Sequence, residues 1–219
     1  MIKNIIFDLS EVIISGYHGT DKLIEKRYGI KADEFLKRKE KVNNIFLEAM
    51  RGKVTEEQYL KELINVQEWK ISVQDMKDII RENLNVPVQG TLEIIKKLKR
   101  KYKLILLSDH IKEWADYILK NNTDLDIFDE KFFSYELKRI KQDTDTFKVI
   151  LEQLKINAKE TIFIDDYQIN IDMAKEQGIE GILFLNASQL ENELKSKLRR
   201  RYWDYAKIVL KIINFSIQF

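Results

Sequence analysis

The sequence predicts an α/β protein whose core is a doubly wound, Rossmann-like parallel sheet with an inserted helical cap subdomain. After residue 87, short apolar runs alternate with segments of helical periodicity, whereas a long helical stretch separates them from the first apolar run. Strands that alternate with helices are typical of a parallel sheet covered on both faces. Several of the apolar runs also end in polar residues, which in such a sheet meet at one edge.

The composition excludes several classes of protein. The 219 residues are 44% hydrophobic and 34% charged, with a formal net charge of +2. A nearly balanced charge gives no strong field for nucleic acid, so we expect no nucleic-acid partner. The absence of cysteine excludes disulfides, thiolate zinc sites and cysteine nucleophiles. No apolar run approaches membrane-spanning length and the first residues do not resemble a cleavable signal peptide, so we expect a cytoplasmic protein without stable membrane association.

The first predicted strand is the apolar run at residues 2–7, and Asp8 follows it directly. From residue 16 to residue 86 the periodicity is mostly helical, which predicts an all-helical cap. Thr55 and Gln58 have the spacing of a capping box, and Ser72 precedes a further apolar series, so each marks a helix start. Pro87, the single proline, ends this block as a second hinge. We therefore assign residues 1–15 and 87–195 to the core and 16–86 to the cap.

The second part of the core continues the alternation up to residue 185. Gly178 ends the last predicted helix before the final strand, because glycine readily adopts the left-handed conformation that terminates helices. In chain order, the predicted elements are a helix at 91–100, a strand at 104–107, a helix at 111–120, a short strand at 132–133, a helix at 146–154, a strand at 161–164, a helix at 169–177 and a strand at 181–185.

Four chemically complementary positions follow the predicted strands. Asp8 offers a nucleophile, Ser108 a hydroxyl and Lys141 a cation, while Asp165 and Asp166 form an acidic pair. Taken singly, each has a plain structural explanation as a turn residue, a helix cap or a solvated charge. Their joint occurrence at strand ends favours a catalytic site.

These residues resemble the motifs of the haloacid dehalogenase-like hydrolases that carry a helical cap after the first motif. The resemblance covers about residues 1–195. Asp8 matches the nucleophile of motif one, Ser108 the hydroxyl of motif two, Lys141 the lysine of motif three, and Asp165 with Asp166 the acids of motif four.

The resemblance implies a magnesium-dependent phosphatase that acts on a small phosphorylated metabolite. Asp8 would attack phosphorus and form an aspartyl phosphate, and Lys141 would pair with Asp8 and the phosphate. Magnesium prefers oxygen ligands. The ligands implied are Asp8, the main-chain carbonyl of Ser10, Asp165 and Asp166, and the expected phosphate-binding residues are Ser108, Asp109, Ser10 and Lys141.

Ser10 departs from the family pattern, which usually has a second aspartate there as general acid and base. A serine hydroxyl does not ionise near neutral pH, and we expect the adjacent Glu11 to face solvent. We therefore favour substrates whose leaving group departs without protonation, such as sugar 1-phosphates, acyl phosphates or aryl phosphates, and we expect weak activity on others. Two alternatives are a 2-haloacid dehalogenase and a catalytically inactive protein that binds a metabolite or partner. Asp109 supports the latter, because it stands where the family often has asparagine and places an extra negative charge near the phosphate site.

The C-terminal extension at residues 196–219 is not explained by the resemblance. Ser188 and Glu191 have capping-box spacing, and the apolar series that follows predicts one long helix containing Leu190, Leu194, Leu198, Tyr202 and Tyr205. We favour packing of its apolar face on the core. A homodimer contact or a basic amphipathic helix on a membrane surface are the alternatives.

Overall fold

A five-stranded sheet forms the centre of the computed structural model, which describes residues 1–31, 40–84 and 86–198. All strand pairs are parallel, and the order across the sheet is β3-β2-β1-β4-β5. The strands are β1 (Asn4–Phe7), β2 (Lys103–Ser108), β3 (Glu130–Phe133), β4 (Thr161–Asp165) and β5 (Glu180–Leu183). The predicted doubly wound α/β fold is confirmed, although β5 ends two residues earlier than expected.

The sheet is buried on both faces, which explains why its strands are continuous apolar runs. Successive side chains of a strand point to opposite faces. In β1, Ile5 and Phe7 belong to one apolar cluster and Ile6 to the other. The same alternation places Leu104 and Leu106 of β2 with the first cluster and Ile105 with the second. The central strand β1 therefore anchors Asp8 between two packed layers.

Four helices lie between β1 and the rest of the core in the described residues. They are α1 (Thr20–Tyr28), α2 (Glu40–Met50), α3 (Glu56–Gln67) and α4 (Val73–Asn83). Both predicted helix starts are confirmed: Thr55 and Gln58 form a reciprocal capping box on α3, and the Ser72 hydroxyl accepts the Asp75 N–H of α4 at 3.0 Å. We call this region the helical insertion. Its division from the core at residues 16 and 86 stays a prediction.

The two chain segments that enter and leave the helical insertion are hydrogen-bonded to each other. The Ser15 N–H donates to the Val86 carbonyl at 2.7 Å, and the Val88 N–H donates to the Ile13 carbonyl at 2.9 Å. Pro87 has no N–H, but this short antiparallel ladder uses the donors and acceptors of its neighbours. The two segments that enter and leave the helical insertion thus run side by side as one hydrogen-bonded connection.

The remaining α-helices cover the sheet, and those at residues 91–98, 112–121, 146–154 and 168–176 end close to their predicted bounds, whereas the short helix at residues 134–137 was not predicted. They are α5 (Thr91–Leu98), α6 (Lys112–Asn121), α7 (Ser134–Leu137), α8 (Thr146–Leu154), α9 (Gln168–Glu176) and α10, whose described part is 187–198. Each described helix is too short or too polar to cross a membrane.

The structure corrects the predicted start of the C-terminal helix. Asn186, not Ser188, caps α10, because the Asn186 side-chain oxygen accepts the Gln189 N–H at 2.9 Å and residue 187 is already helical. Leu190 and Leu194 are buried in the first apolar cluster and Leu198 packs against it. The prediction that this helix packs on the core is therefore confirmed as far as residue 198. Tyr202, Tyr205 and the rest of the extension lie outside the described residues.

Candidate active site

The predicted site residues meet at the carboxyl edge of the sheet. Asp8 directly follows β1, Ser108 ends β2 and Asp165 ends β4, so parallel pairing brings them side by side. The Asp8 N–H donates to the Ile164 carbonyl at 2.9 Å, which extends the pairing of β1 with β4 as far as Asp8. The sequence-predicted hydroxyl, cation and acids are thus close to one carboxylate.

Lys141 lies in the loop between α7 and α8 and reaches two of these carboxylates. Its ammonium is 2.8 Å from Asp8 Oδ1 and 2.6 Å from Asp165 Oδ2, and the residue is only 2% exposed. Burial alone would lower the pKa of Lys141, but the Asp165, Asp8 and Asp109 carboxylates outweigh it and raise that pKa above its usual value. The lysine is therefore a permanent buried cation.

Asp8 is itself 5% exposed and accepts a hydrogen bond from the Ser108 hydroxyl at 3.2 Å. Burial raises the pKa of the Asp8 carboxyl, the Lys141 charge opposes that shift, and Asp165 adds to it. Burial dominates, so the pKa of Asp8 lies above its ordinary value, and the Lys141 cation limits that rise.

The acidic pair after β4 divides into a buried and an exposed carboxylate. Asp165 is fully buried and accepts from Lys141, from the Tyr167 N–H at 2.8 Å and from the Asn170 amide at 3.1 Å. Asp166 is exposed. Carboxylate oxygens of Asp8, Asp165 and Asp166 lie within 4.8 Å of one another, a spacing that fits a divalent cation with oxygen ligands.

His110 joins two serines of the site. It is 2% exposed, with Nδ1 2.8 Å from the Ser108 hydroxyl and Nε2 3.2 Å from the Ser10 hydroxyl. Burial, reinforced by the Lys141 charge, lowers the pKa of His110 to about 3, so the imidazole is neutral. The only sequence signal for this role is its position two residues after Ser108.

Donor and acceptor counting fixes the direction of this hydrogen-bond chain. A neutral imidazole has one N–H donor and one acceptor nitrogen. Because the Ser108 hydroxyl donates to Asp8, we assign the proton to Nδ1 of His110, which donates to Ser108. Nε2 then accepts from the Ser10 hydroxyl. The Ser10 hydroxyl proton is therefore engaged in a hydrogen bond within the protein.

A second set of contacts ties the site loops to the helical insertion. The Ser134 hydroxyl accepts the His110 N–H at 3.0 Å and donates to the Met50 carbonyl at the end of α2, 2.7 Å away. Arg51 binds both carboxylate oxygens of Asp143, at 2.7 and 3.2 Å, just after Lys141 in the chain. The C-terminal end of α2 is thus held against the loops that carry His110 and Lys141.

Asp109 and Glu11 are half-buried carboxylates at the rim of the site. Asp109 accepts the Lys141 main-chain N–H at 3.2 and 3.1 Å, and burial, opposed by the charge of Lys141, raises the pKa of Asp109 to about 6. The expectation that Glu11 faces solvent is wrong, because its carboxylate accepts the Gly16 N–H at 2.7 Å. Glu11 has a left-handed backbone (φ 59°), and it lines the cavity described next.

A cavity of about 370 Å³ opens onto these residues. Its inner end carries Asp8, Ser10, Ser108, His110, Lys141 and Asp166. Its outer wall is formed by the insertion residues Tyr17, Phe46, Leu47 and Met50 together with Trp114 of α6. The arrangement offers a nucleophilic carboxylate with a paired cation, two hydroxyls and an oxygen-rich cation site at the bottom of a largely apolar chamber.

Several known proteins are similar to this chain over most of its length. A D-ribitol-5-phosphate phosphatase from Bacteroides thetaiotaomicron is 26% identical over 202 residues, which cover 89% of this chain and 97% of the relative. A HAD family enzyme from that organism, solved with magnesium and inorganic phosphate, is 27% identical with a TM-score of 0.66 over 85% of this chain and 96% of its own.

A HAD-like family hydrolase from Porphyromonas gingivalis shares the fold, with a TM-score of 0.72 at 24% identity over 91% of this chain and 98% of its own. The family model that describes a haloacid dehalogenase-like hydrolase matches residues 2–178. The chain belongs to the haloacid dehalogenase-like hydrolase family.

Proposed function

We propose that this protein is a magnesium-dependent phosphatase that hydrolyses a small phosphorylated metabolite through an aspartyl phosphate on Asp8. The observation that carries the proposal is the buried Asp8 carboxylate, which contacts Lys141 at 2.8 Å and Ser108 at 3.2 Å at the inner end of one cavity. The likeness to a phosphatase, and to an enzyme solved with magnesium and phosphate, supports it.

Asp8, Asp166 and the Ser10 carbonyl are the proposed holders of magnesium. Asp165 is close enough to contribute, but both of its oxygens are already occupied by Lys141, Asn170 and Tyr167, so we assign it mainly to the positioning of Lys141. When bound, magnesium would neutralise the charge that otherwise keeps a carboxylate and a phosphate apart.

The reaction uses the residues of the chain in two displacements. An Asp8 oxygen forms a bond to phosphorus while the bond from phosphorus to the leaving oxygen breaks, and Lys141 and Ser108 hold the phosphoryl oxygens. Water then attacks phosphorus, the bond to Asp8 breaks, and inorganic phosphate is released. Each step passes the phosphoryl group to an oxygen nucleophile, and the second step restores the Asp8 carboxylate.

Ser10 cannot supply the proton that an alkoxide leaving group requires. Its hydroxyl does not act as an acid near neutral pH and its proton is donated to His110. We therefore propose substrates whose leaving group departs as a stabilised oxyanion, which includes sugar 1-phosphates, acyl phosphates and aryl phosphates. The phosphatase similar to this chain acts on a sugar-alcohol phosphate, so a phosphorylated carbohydrate is one member of the candidate range.

Phosphate release with and without magnesium tests the proposal. We expect acetyl phosphate, phenyl phosphate or glucose 1-phosphate to release phosphate only with magnesium, and Asp8→Asn to abolish release. Asp172→Asn is the matched control, because Asp172 is an exposed aspartate outside the cavity lining. Equal rates for the wild type and Asp8→Asn would contradict the proposal.

A protein that binds a phosphorylated ligand without turnover is the second candidate. The Asp109 carboxylate near the phosphate end and the missing acid at Ser10 favour it. Calorimetric titration would then show ligand binding while phosphate release stays absent. The dehalogenase alternative gains no support, since no arginine lines the cavity within the described residues to bind a haloacid carboxylate.

A further inference from the structure

The outer wall of the cavity is aromatic and aliphatic, in contrast to its polar inner end. Phe46, Leu47 and Met50 of α2 are half-buried and line the opening, and the buried Tyr17 and Trp114 lie behind them. The rings form one stack, with centroids 5.6 Å apart for Tyr17 and Phe46 and 5.0 Å apart for Tyr17 and Trp114. Rings in such arrangements attract a further aromatic group.

The polar atoms of this wall are already used within the protein. The Tyr17 hydroxyl is 3.0 Å from the Tyr59 hydroxyl, and the Trp114 indole N–H donates to Glu56 at 2.6 Å. Glu56 also binds Arg81, which completes its pairing. A polyhydroxylated leaving group would therefore find few partners along this wall, whereas an apolar ring would lose no hydrogen bonds there.

The charges around the cavity disfavour a second anionic group on the substrate. Asp8, Glu11, Asp109 and Asp166 line it, and Lys141 is the single cation among the described lining residues. Lys141 is already paired with two carboxylates. A carboxylate on the leaving group would meet like charges without a counter-ion in this part of the structure.

From these three observations, together with the engaged Ser10 proton, we infer that the preferred substrate is a phosphate monoester with an uncharged aromatic leaving group. The inference rests on the proposed phosphatase function and deepens it by naming the leaving group. A phenoxide departs without protonation far more readily than an alkoxide, and its ring matches the wall formed by Phe46, Leu47 and Met50.

Three substrates with magnesium test the leaving group. We expect kcat/KM for phenyl phosphate to exceed that for ribitol 5-phosphate and that for 4-carboxyphenyl phosphate, each by about tenfold or more. A carboxylate-substituted phenol is at least as good a leaving group as phenol, so a deficit would come from binding. Equal or higher kcat/KM for either comparison substrate would overturn the inference, whereas magnesium-dependent phosphate release that requires Asp8 would still support the proposed function.

Variants of α2 test the wall directly. Phe46→Ala should lower the ratio of kcat/KM for phenyl phosphate to that for acetyl phosphate by roughly two- to tenfold, because acetyl phosphate does not extend to the wall. Leu47→Ala is a second variant in case the stacked Phe46 is needed for folding. Ile45→Ala is the matched control, since Ile45 is half-buried on the same helix but does not line the cavity. An unchanged ratio in both wall variants, or an equal fall in the control, would contradict the inference.

Discussion

Replacement of Lys141 by methionine should destabilise the folded protein by about 3–5 kcal/mol near neutral pH, because it removes a buried cation and leaves its partners uncompensated. Lys141 is 2% exposed and its ammonium contacts Asp8 at 2.8 Å and Asp165 at 2.6 Å. Methionine has a similar length, so little packing is lost and the effect is mainly electrostatic.

The magnitude converts into a measurable shift of the melting temperature. For a chain of 150–250 residues, each kcal/mol corresponds to about 2–4 °C, so we expect a decrease of roughly 6–20 °C in thermal unfolding without divalent ions. Addition of magnesium should recover part of the loss, by about 2.7 kcal/mol at a concentration 100 times Kd. It should stabilise Lys141→Met more than the wild type, because the lysine charge no longer opposes a bound cation.

Two controls separate the buried charge from other effects. Lys148→Met removes an exposed lysine whose ammonium is 4.0 Å from Glu152 and should change the melting temperature by less than about 2 °C. Lys141→Arg keeps the charge and should recover part of the stability. If Lys141→Met melts within about 2 °C of the wild type with and without magnesium, the role of Lys141 as the counter-ion of Asp8 and Asp165 is refuted.

The remaining predictions concern residues around Asp8 and the C-terminal extension. Ser10→Asp should raise turnover of ribitol 5-phosphate by about tenfold or more, because it restores a general acid, and no gain would show that the missing acid is not limiting. Burial, opposed by Lys141, raises the pKa of Asp109 from 3.8 to about 6, so the folded state binds the proton more tightly and stability falls as pH rises through that interval. In a plot of melting temperature against pH, Asp109→Asn should flatten the slope across this interval. An unchanged slope would contradict the assigned role of Asp109. His110→Ala should lower the free energy of unfolding, measured by chemical denaturation, by about 1–3 kcal/mol and should also lower kcat. His110→Asn should restore part of both, because it returns a polar group near Ser108. Full activity in the alanine variant would contradict the hydrogen-bond chain. A homodimer contact through residues 196–219, one alternative to packing on the core, is tested by the mass in solution before and after truncation at residue 198, and a monomer in both cases would exclude it.

The fold could be predicted because its physical causes are local. Parallel strands buried on both faces leave continuous apolar runs, and helices that cover them leave a period near 3.6. Three of the candidate site positions follow from the same pattern, since Asp8, Ser108 and Asp165 each stand at a strand end. Helix starts marked by Thr55 and Ser72 are equally local, because one side chain reaches an N–H three residues away.

The other features depend on contacts that spacing does not encode. His110 connects Ser10 and Ser108 only because two loops far apart in the chain place their side chains on either side of one ring. Glu11 turns back to Gly16 through a left-handed backbone, which a glutamate in a sequence does not signal. At the last helix, Asn186 and Ser188 are both acceptable caps by residue type, and only the tertiary position of the helix selects the first. The aromatic wall likewise depends on how α2 is rotated against the helices that it contacts.

The ladder that joins residues 13–15 to residues 86–88 has a consequence for exchange of the helical insertion. Because the segments that enter and leave the insertion lie side by side, the distance that a replacement segment must span is short and fixed. A different module could therefore be grafted between Ser15 and Val86 without altering the register of the sheet. Asp8 and Lys141, which the core carries, would keep their contact while the outer chamber was rebuilt, so the cavity wall could be engineered separately from this charged pair.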